Sequence, residues 1–438
     1  MGVSQVILQL GDLHYPEFAQ ANTAVDLHDK TAPGALDSQL KLPVPAAIRR
    51  AVIDEIKAAP DALIAICGDT TSKGDKDGFV AGVEYLKAIL TDPAIQPAIV
   101  PDRVHFVPGN HDVAFKGDAP FVGFEDLERF EDLATIVTDL GLPTVFTTSH
   151  RATRITNSSG GSLSVLSVNT CRGAGATRSA ATQRAEAAGY VGADGGGPEP
   201  ARVGRQNLSH GADEVLDVPL LHPHELTAIS TEWAHPPADM LPVLLAHHGL
   251  LPQHTPRLNP YTEMVNGGQA RKAIANIHHP VLYLHGHIHE HVVEVIESPK
   301  YGDQVAAHDR TVVVAAPELK DGFNKILVHF TEEGRPAGVS VEQFRLRHGD
   351  QSVVREPTVI DISLTSTVIG HSGRRSLLGF LAESRAANGA ELIAHGGSLK
   401  PPMTETEVQG AIDMLVWSGT VRKTSLNEVS FQESGYLL

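Results

Sequence analysis

An α/β fold in which two sheets share one core, with helices outside, is what this chain predicts. Three observations carry it. Short apolar runs alternate with apolar stripes at helical spacing as far as residue 284. Strands without intervening helices then follow to residue 346, and short strings of Asp, His and Asn stand directly after several apolar runs. With 438 residues, two or three domains and a large core are expected.

Val6 to Leu10 reads as the first strand. Ile48, Val52, Ile53 and Ile56 recur at helical spacing behind Pro43 and Pro45, and Ala62 to Cys67 reads as the second strand. Phe79, Val83, Leu86 and Leu90 make a helix stripe, Val104 to Val107 a strand, Phe124 to Leu140 a helix and Leu163 to Val168 a strand. His224 to Trp233 is a helix, Leu241 to Ala246 a strand, Ala270 to Ile277 a helix and Val281 to Leu284 a strand. The strand-rich part comprises Val292 to Ile296, Thr311 to Val314, Lys325 to Phe330 and Val339 to Leu346.

Two stretches leave this rhythm. Residues 173 to 218 are rich in Gly, Ala and polar residues with no periodic element, as in a lid, a binding loop or a disordered insertion. After Pro357, Ser376 to Ala386 and Thr404 to Trp417 read as helices, the second with a capping box of Thr404 and Glu407 and a stop at Gly419. Strand-like pieces at Thr420 to Thr424 and Glu428 to Gln432 complete a small α+β, winged-helix-like domain over 356–438. Six Lys or Arg against nine Asp or Glu from Glu356 onward disfavour groove binding. The apolar stripe of Val408, Ile412 and Leu415 needs a cover, either the domain's own small core or a second chain, a homodimer or a protein partner through this domain being the outcome expected of such a surface.

A formal net charge of -17 argues against a general polyanion-binding surface, although a metal-filled cleft can be locally positive. Two cysteines, Cys67 and Cys171, cannot make a disulfide framework and fit a reducing cytoplasm. Val6-Ile7-Leu8 is too short for a secretory signal and no 18-residue apolar stretch spans a membrane, so a soluble cytoplasmic protein is expected.

The polar strings are Gly11-Asp12-Leu13-His14, Gly68-Asp69, Gly109-Asn110-His111-Asp112, His247-His248 and Gly286-His287-Ile288-His289. They supply carboxylate oxygen, amide oxygen and imidazole nitrogen, which suit hard or borderline divalent metals. Each follows a strand-like run, and carboxyl ends of strands are where open α/β sheets bind ligands. Asp12 and His14 can face one ion only if a bend at the strand end breaks the alternation of side chains. Asn110 offers an amide oxygen, His111 an imidazole and Asp112 a carboxylate able to fix that ring's tautomer. Asn169 and Arg172 follow another strand and could face the cleft, Arg172 gripping a phosphate bidentately. His210, His222, His224, Asp361, His371 and His395 form no such grouping.

In order, spacing and strand context these strings resemble the signature D-x-H, G-D, G-N-H-D, H, G-H-x-H of the calcineurin-like metallophosphoesterase superfamily. The match runs from Asp12 to His289 and covers about residues 1–350, taken as the catalytic domain. It looks most like the bacterial branch with cyclic-nucleotide phosphodiesterases. The resemblance implies a four-layer α/β/β/α sandwich. It implies one metal on Asp12, His14, Asp69 and His289 and another on Asp69, Asn110, His247 and His287, with Asp69 bridging. His111 would contact phosphoryl oxygens or protonate the leaving group, with Asp112 orienting it. Members often carry an acidic or Asn residue three positions after the bridging Asp, where this chain has Ser72.

Two such cations bind ester oxygens, neutralise developing charge and lower the pKa of a water between them, giving a hydroxide near neutral pH. The expected activity is hydrolysis of phosphate esters, with diesters of nucleotides or cyclic nucleotides, or a nucleic-acid end, as substrates. Manganese is favoured by the resemblance, with iron or zinc also suited to the ligands. The competing readings are a nuclease of the same superfamily and an inactive scaffold that has kept the fold.

Overall fold

The computed structural model describes residues 4–20, 44–72, 74–113, 123–124, 127–139, 141–148, 150–157, 161–174, 176–177, 215–251, 264–297, 308–331, 334–347, 352–366, 371–400, 402–417, 421–424, 432 and 434–437. Its first nine strands are β1 (Ser4–Leu10), β2 (Leu63–Ile66), β3 (Val104–Phe106), β4 (His150–Thr156), β5 (Ser162–Val168), β6 (Ala176–Thr177), β7 (Val215–Leu216), β8 (Met240–Leu245) and β9 (Val281–His285). Then come β10 (Val293–Glu297), β11 (His308–Ala315), β12 (Gly322–Phe330), β13 (Pro336–Arg347), β14 (Ser352–Ser363) and β15 (Thr365–Ser366). The helices of this part are α1 (Glu17–Gln20), α2 (Val44–Ala58), α3 (Lys76–Leu90), α4 (Glu131–Asp139), α5 (Pro223–Glu232) and α6 (Gly267–Ala275).

One sheet has the order β14-β13-β12-β1-β2-β3 and the other β10-β11-β9-β8-β5-β4, with β15 paired to β11. β1, β2 and β3 are parallel to one another, as are β5, β8, β9 and β11. Side-chain alternation sorts each strand between two layers. Ile7, Leu63, Ala65, Val165, Val243, Leu282, Val312 and Val341 meet between the sheets. Leu8, Ile64 and Ile66 face outward onto Ile48 and Val52 of α2 and Phe79 and Val83 of α3. On the far side Leu244, Tyr283 and Val313 pack against Ile229 of α5 and Ile274 of α6. The result is the expected α/β/β/α sandwich, each fully buried large apolar side chain contributing about 1.5–3 kcal/mol.

Buried amides join the two sheets. Gln9 of β1 donates to the backbone carbonyls of His285 at 3.0 Å and Val314 at 2.9 Å, and accepts from Asn324 of β12 at 2.9 Å. Asn324 also donates to the carbonyl of Ala315 at 2.8 Å.

Where the structure differs from the sequence reading, packing explains it. β14 was not anticipated, because Pro357 interrupts it. The β13–β14 register shifts between Glu342 and Phe344, which leaves Pro357 at an irregularity of an edge strand, where a missing N–H is tolerated. β14 and β15 therefore extend the sandwich through residue 366, past the boundary expected near 350. β4 was also unforeseen, and the helix expected over Phe124 to Leu140 is described only as a short 3-10 turn at Glu128–Phe130 followed by α4. Of the 173–218 stretch, β6 and β7 pair antiparallel, while 178–214 lies outside the described residues.

The tail holds α7 (His371–Ser384), β16 (Ala386–Asn388), α8 (Gly389–Gly397), α9 (Glu405–Trp417), β17 (Arg422–Lys423) and β18 (Gly435–Leu437), with sheet order β16-β18-β17. The capping box stands: Thr404 N–H donates to Glu407 Oε2 at 2.6 Å and Glu407 N–H to Thr404 Oγ1 at 3.3 Å. Val408, Ile412 and Leu415 are buried against Leu377, Leu381, Leu392, Val421 and Tyr436. Of the two covers expected for the stripe, the tail's own core supplies one. Helix α8 was not foreseen, and the expected strand at 428–432 lies almost wholly outside the described residues.

Candidate dinuclear metal centre

Five loops leave carboxyl ends of parallel strands side by side. Asp12 and His14 follow β1, Asp69 follows β2, Asn110, His111 and Asp112 follow β3, His247 and His248 follow β8, and His287 and His289 follow β9. Asp12, His14, Asp69, His287 and His289 have φ of 51°, 55°, 52°, 70° and 60°. That left-handed conformation is uncommon for such residues and is the bend needed for Asp12 and His14 to face one point.

Ligand atoms of Asp12, His14, Asp69 and His289 lie within 4.8 Å of one another. His14 Nε2 is 3.1 Å from His289 Nε2, which in turn is 3.6 Å from Asp12 Oδ1. Beside them, Asn110 Oδ1 is 2.8 Å from His247 Nε2 and 3.3 Å from His287 Nδ1, and Asp69 Oδ2 is 3.3 Å from His247 Nε2. Asp69 thus touches both groups.

His247 Nδ1 lies 2.7 Å from the carbonyl of Cys67, which can only accept, so Nδ1 carries a proton. In the neutral ring the Nε2 lone pair then faces the oxygens of Asn110 and Asp69. Such a convergence of electron pairs needs a proton or a metal ion at its centre, and the donor set suits divalent metals. Without metal the proton wins: burial works against charge on His247, but the Asp69 carboxylate bonded to it, with Asp12 behind, pushes its pKa up to about 10. Burial would likewise raise Asp69, yet His247, His111 and His14 hold it well below the usual carboxylate range. Burial raises Asp12, whose two oxygens accept from His287 N–H at 3.0 and 3.1 Å.

A raised His247 pKa contributes stability fully present below its unfolded value of about 6.5 and lost as pH rises through about 10. Melting temperature in chelator should fall across that window, and a divalent metal, taking the proton's place, should remove most of the fall. A flat profile in chelator contradicts the assignment.

His111 sits at the rim, half-buried, its ring edge-on to His14 at 5.3 Å. Its backbone N–H donates to Asp69 Oδ1 at 2.8 Å. Asp112 is bonded to the backbone of the neighbouring loops. Its carboxylate accepts from the backbone N–H groups of Thr70 at 2.7 Å, Thr71 at 3.0 Å and Gly109 at 2.8 Å, clamping the Asp69 and Asn110 loops together. Burial and the nearby Asp69 raise its pKa to about 7 despite those bonds.

The two expected substrate-binding residues are buried and bonded within the protein. Asn169 is buried, accepting from Cys171 N–H at 2.9 Å and donating to the carbonyl of Phe146 at 3.4 Å. Arg172 is buried too, its Nε donating to Glu225 Oε1 at 2.9 Å and its Nη1 to the carbonyl of Phe124 at 3.2 Å. Glu225 also accepts from His222 N–H at 2.7 Å, so it caps α5 and pairs Arg172 at once. Arg172→Met should therefore cost stability, about 3–5 kcal/mol for breaking a buried pair. Substrate KM should stay unchanged in whatever folds, and a raised KM at unchanged melting temperature returns Arg172 to the substrate.

Sequence reasoning missed Glu318, whose Oε2 lies 3.8 Å from His289 Nδ1 and 2.7 Å from Lys320 Nζ. Its only signal is its place after Ala316-Pro317 at the end of β11. Asp217, 3.1 Å from His248, was missed as well.

A four-layer sandwich with carboxylates, imidazoles and an amide gathered at strand ends defines a metal-dependent hydrolase. The chain belongs to the calcineurin-like phosphoesterase family, whose model matches residues 6–291. Among solved structures it is similar to a dimetal phosphatase from Danio rerio, at 11% identity over 82% of this chain and 99% of that chain, TM-score 0.46. It is also similar to a 5'-nucleotidase precursor from Thermus thermophilus, at 13% identity over 87% of this chain and 59% of that one, TM-score 0.40. An NAD nucleotidase from Haemophilus influenzae is similar at 12% identity over 82% of this chain and 54% of that one, TM-score 0.37. No curated protein matches the sequence. Family and ligand groups together support phosphoester hydrolysis at a dinuclear divalent centre.

Proposed function

We propose that this enzyme hydrolyses phosphodiesters of nucleotides or cyclic nucleotides, holding one ion on Asp12, His14, Asp69 and His289 and the other on Asp69, Asn110, His247 and His287. The observation that carries the reading is Asp69, buried between the two groups and in contact with His247. Bound cations of this kind supply charge neutralisation and a water of lowered pKa, and manganese suits the mixed nitrogen and oxygen set.

Charge balance favours the diester. The proposed ligands bring two carboxylates, Asp12 and Asp69, so two divalent ions leave two net positive charges. A diester anion and an attacking hydroxide neutralise them, whereas a monoester dianion leaves an excess negative charge that wants another cation. Arg172, the candidate for that cation, is committed to Glu225. His111, whose ring meets that of His14 at the rim, is taken to contact the phosphoryl oxygens or to protonate the leaving group. The tail, with the order helix, strand, helix, helix, strand, strand, is taken as a winged-helix-like unit beginning after residue 366. Both cysteines are free and buried, which supports a reducing compartment, and no described helix is long and apolar enough to cross a membrane.

The test is metal analysis with hydrolysis of bis-p-nitrophenyl phosphate against p-nitrophenyl phosphate. Two divalent ions per chain and a preference for the diester are expected. Monoester preference overturns the substrate class, and absence of metal with no turnover points to a scaffold. In the same assay His111→Ala should lower kcat about 10²- to 10⁴-fold, the range for a general acid, at unchanged metal content. Loss of metal in that variant would mean that His111 is a ligand instead.

A further inference from the structure

Three histidines line the second group, and His248 is built differently from the other two. Its ring is buried, 4.8 Å from the His247 ring and 4.6 Å from the His287 ring between centroids. A ligand atom of each of the three lies within 4.8 Å of the others, so distance alone admits His248 as a metal ligand. The hydrogen bonds decide against that. Asp217 Oδ2, a carboxylate oxygen that only accepts, lies 3.1 Å from His248 Nε2, so the ring proton is on Nε2 and Nε2 donates to Asp217. In the neutral ring Nδ1 is then the acceptor for the Thr170 hydroxyl at 2.9 Å, while Thr170 Oγ1 accepts the backbone N–H of His248 at 3.2 Å. Neither nitrogen keeps a lone pair for a cation. The carbonyl of His248 accepts from Tyr283 Oη at 2.6 Å, so every polar atom of the residue is engaged.

Asp217 comes directly after β7, where the described chain returns to the sandwich. It is set against the exit of β5 by Val218 N–H on the carbonyl of Gly173 at 3.3 Å and Leu220 N–H on the carbonyl of Thr170 at 3.2 Å. We propose that Asp217 is a positioning residue for the second ion, fixing the tautomer and ring plane of His248 and through that ring the planes of His247 and His287. The proposal rests on the dinuclear reading above. Without the Asp217 carboxylate the His248 Nε2–H loses its partner in a buried setting, and the ring becomes free to turn against its two neighbours. A turned ring also brings a nitrogen lone pair within reach of the ion and competes with the native set.

Loss of a hydrogen-bond partner behind a metal site lowers metal affinity or activity about 10- to 100-fold. Equilibrium dialysis of Mn²⁺ against the metal-free full chain, as wild type, Asp217→Ala and Asp217→Asn, reads it directly. In the Ala variant one step of the two-step isotherm should shift by that factor while the other stays in place. The Asn variant, whose amide oxygen accepts the same bond, should return most of the loss. A slowly exchanging imidazole N–H proton resonance from His248 should be present in metal-free wild type and Asp217→Asn and absent in Asp217→Ala. Unchanged isotherms, equal weakening of both steps, an Asn variant as poor as Ala, or a resonance that survives in Ala each overturn the positioning role. Wild type that takes up no Mn²⁺ overturns the dinuclear reading, and with it this one; two ions in wild type with an unaffected Ala variant overturn the positioning role alone.

Discussion

Asp69→Asn is expected to leave a folded protein that holds fewer than two divalent ions and turns over a phosphodiester about 10³-fold more slowly or worse. The fold should survive because the substitution is isosteric. Asn can present its amide oxygen to His111 N–H, now 2.8 Å from Asp69 Oδ1, and its NH₂ group to His247 Nε2, now 3.3 Å from Oδ2. The bonds of residue 69 to His111 and His247 then each have a donor and an acceptor without a proton held at raised pKa. The metals suffer, because the residue proposed to bridge loses its charge and turns an N–H toward one ion. Several kcal/mol of charge stabilisation at the reacting phosphate go with them, at about 1.36 kcal/mol per tenfold in rate. The same variant should flatten the pH dependence of stability in chelator, since Asp69 is the chief group that raises His247. Near-normal turnover with two ions per chain sinks the ligand assignment.

Much of the fold was legible because strands buried on both faces leave continuous apolar runs. Leu63 to Ile66 and Leu241 to Leu245 could be read without any partner in view. β14 was not legible, since Arg355, Glu356 and Pro357 on an exposed edge carry no such signature and only its pairing with β13 makes it a strand. The polar strings were legible as a set because each stands at a strand end, a position that sequence order preserves. What each side chain does there was less so. Arg172 looked available to a phosphate, but nothing near it in sequence announces Glu225, which reaches it across the fold from α5. The same distance hid the clamp formed by Asp112 on Thr70 and Thr71, and the tie of Asp217 to His248. In the tail, the amphipathic stripe of α9 was read correctly as needing a cover, but periodicity cannot say whether the cover lies in the same chain, and Leu392 of the unforeseen α8 supplies part of it.

Gly109→Ala tests whether the site depends on close approach of two backbones. A Cβ at that position would lie 2.0 Å from Asp69 Oδ1 and 2.1 Å from Asp69 N, far inside contact distance. The amide nitrogen belongs to backbone that Asp112 pins through Thr70 and Thr71, so it has no easy direction of retreat. The loop of Asn110 and His111 must then move off the loop of Asp69, which breaks the 2.8 Å bond from His111 N–H and pulls Asn110 Oδ1 away from His247. Overpacking costs about 1–3 kcal/mol in ordinary cores, and here the strain falls on residues proposed to hold both ions. Turnover should therefore fall by at least the factor expected for Asp69→Asn, with metal content reduced and the melting temperature lowered both with and without metal. That last readout separates the two variants, since Asp69→Asn should spare the metal-free fold. Gly268→Ala on α6 is the control: among the described residues, apart from its chain neighbours and its own helix backbone, no atom lies within 4 Å of its added Cβ, so a gain of up to about 1 kcal/mol in helix stability and unchanged turnover are expected. If Gly109→Ala instead keeps two ions and wild-type turnover, the loops after β2 and β3 do not have to meet this closely, and the centre is held by some other arrangement of these residues.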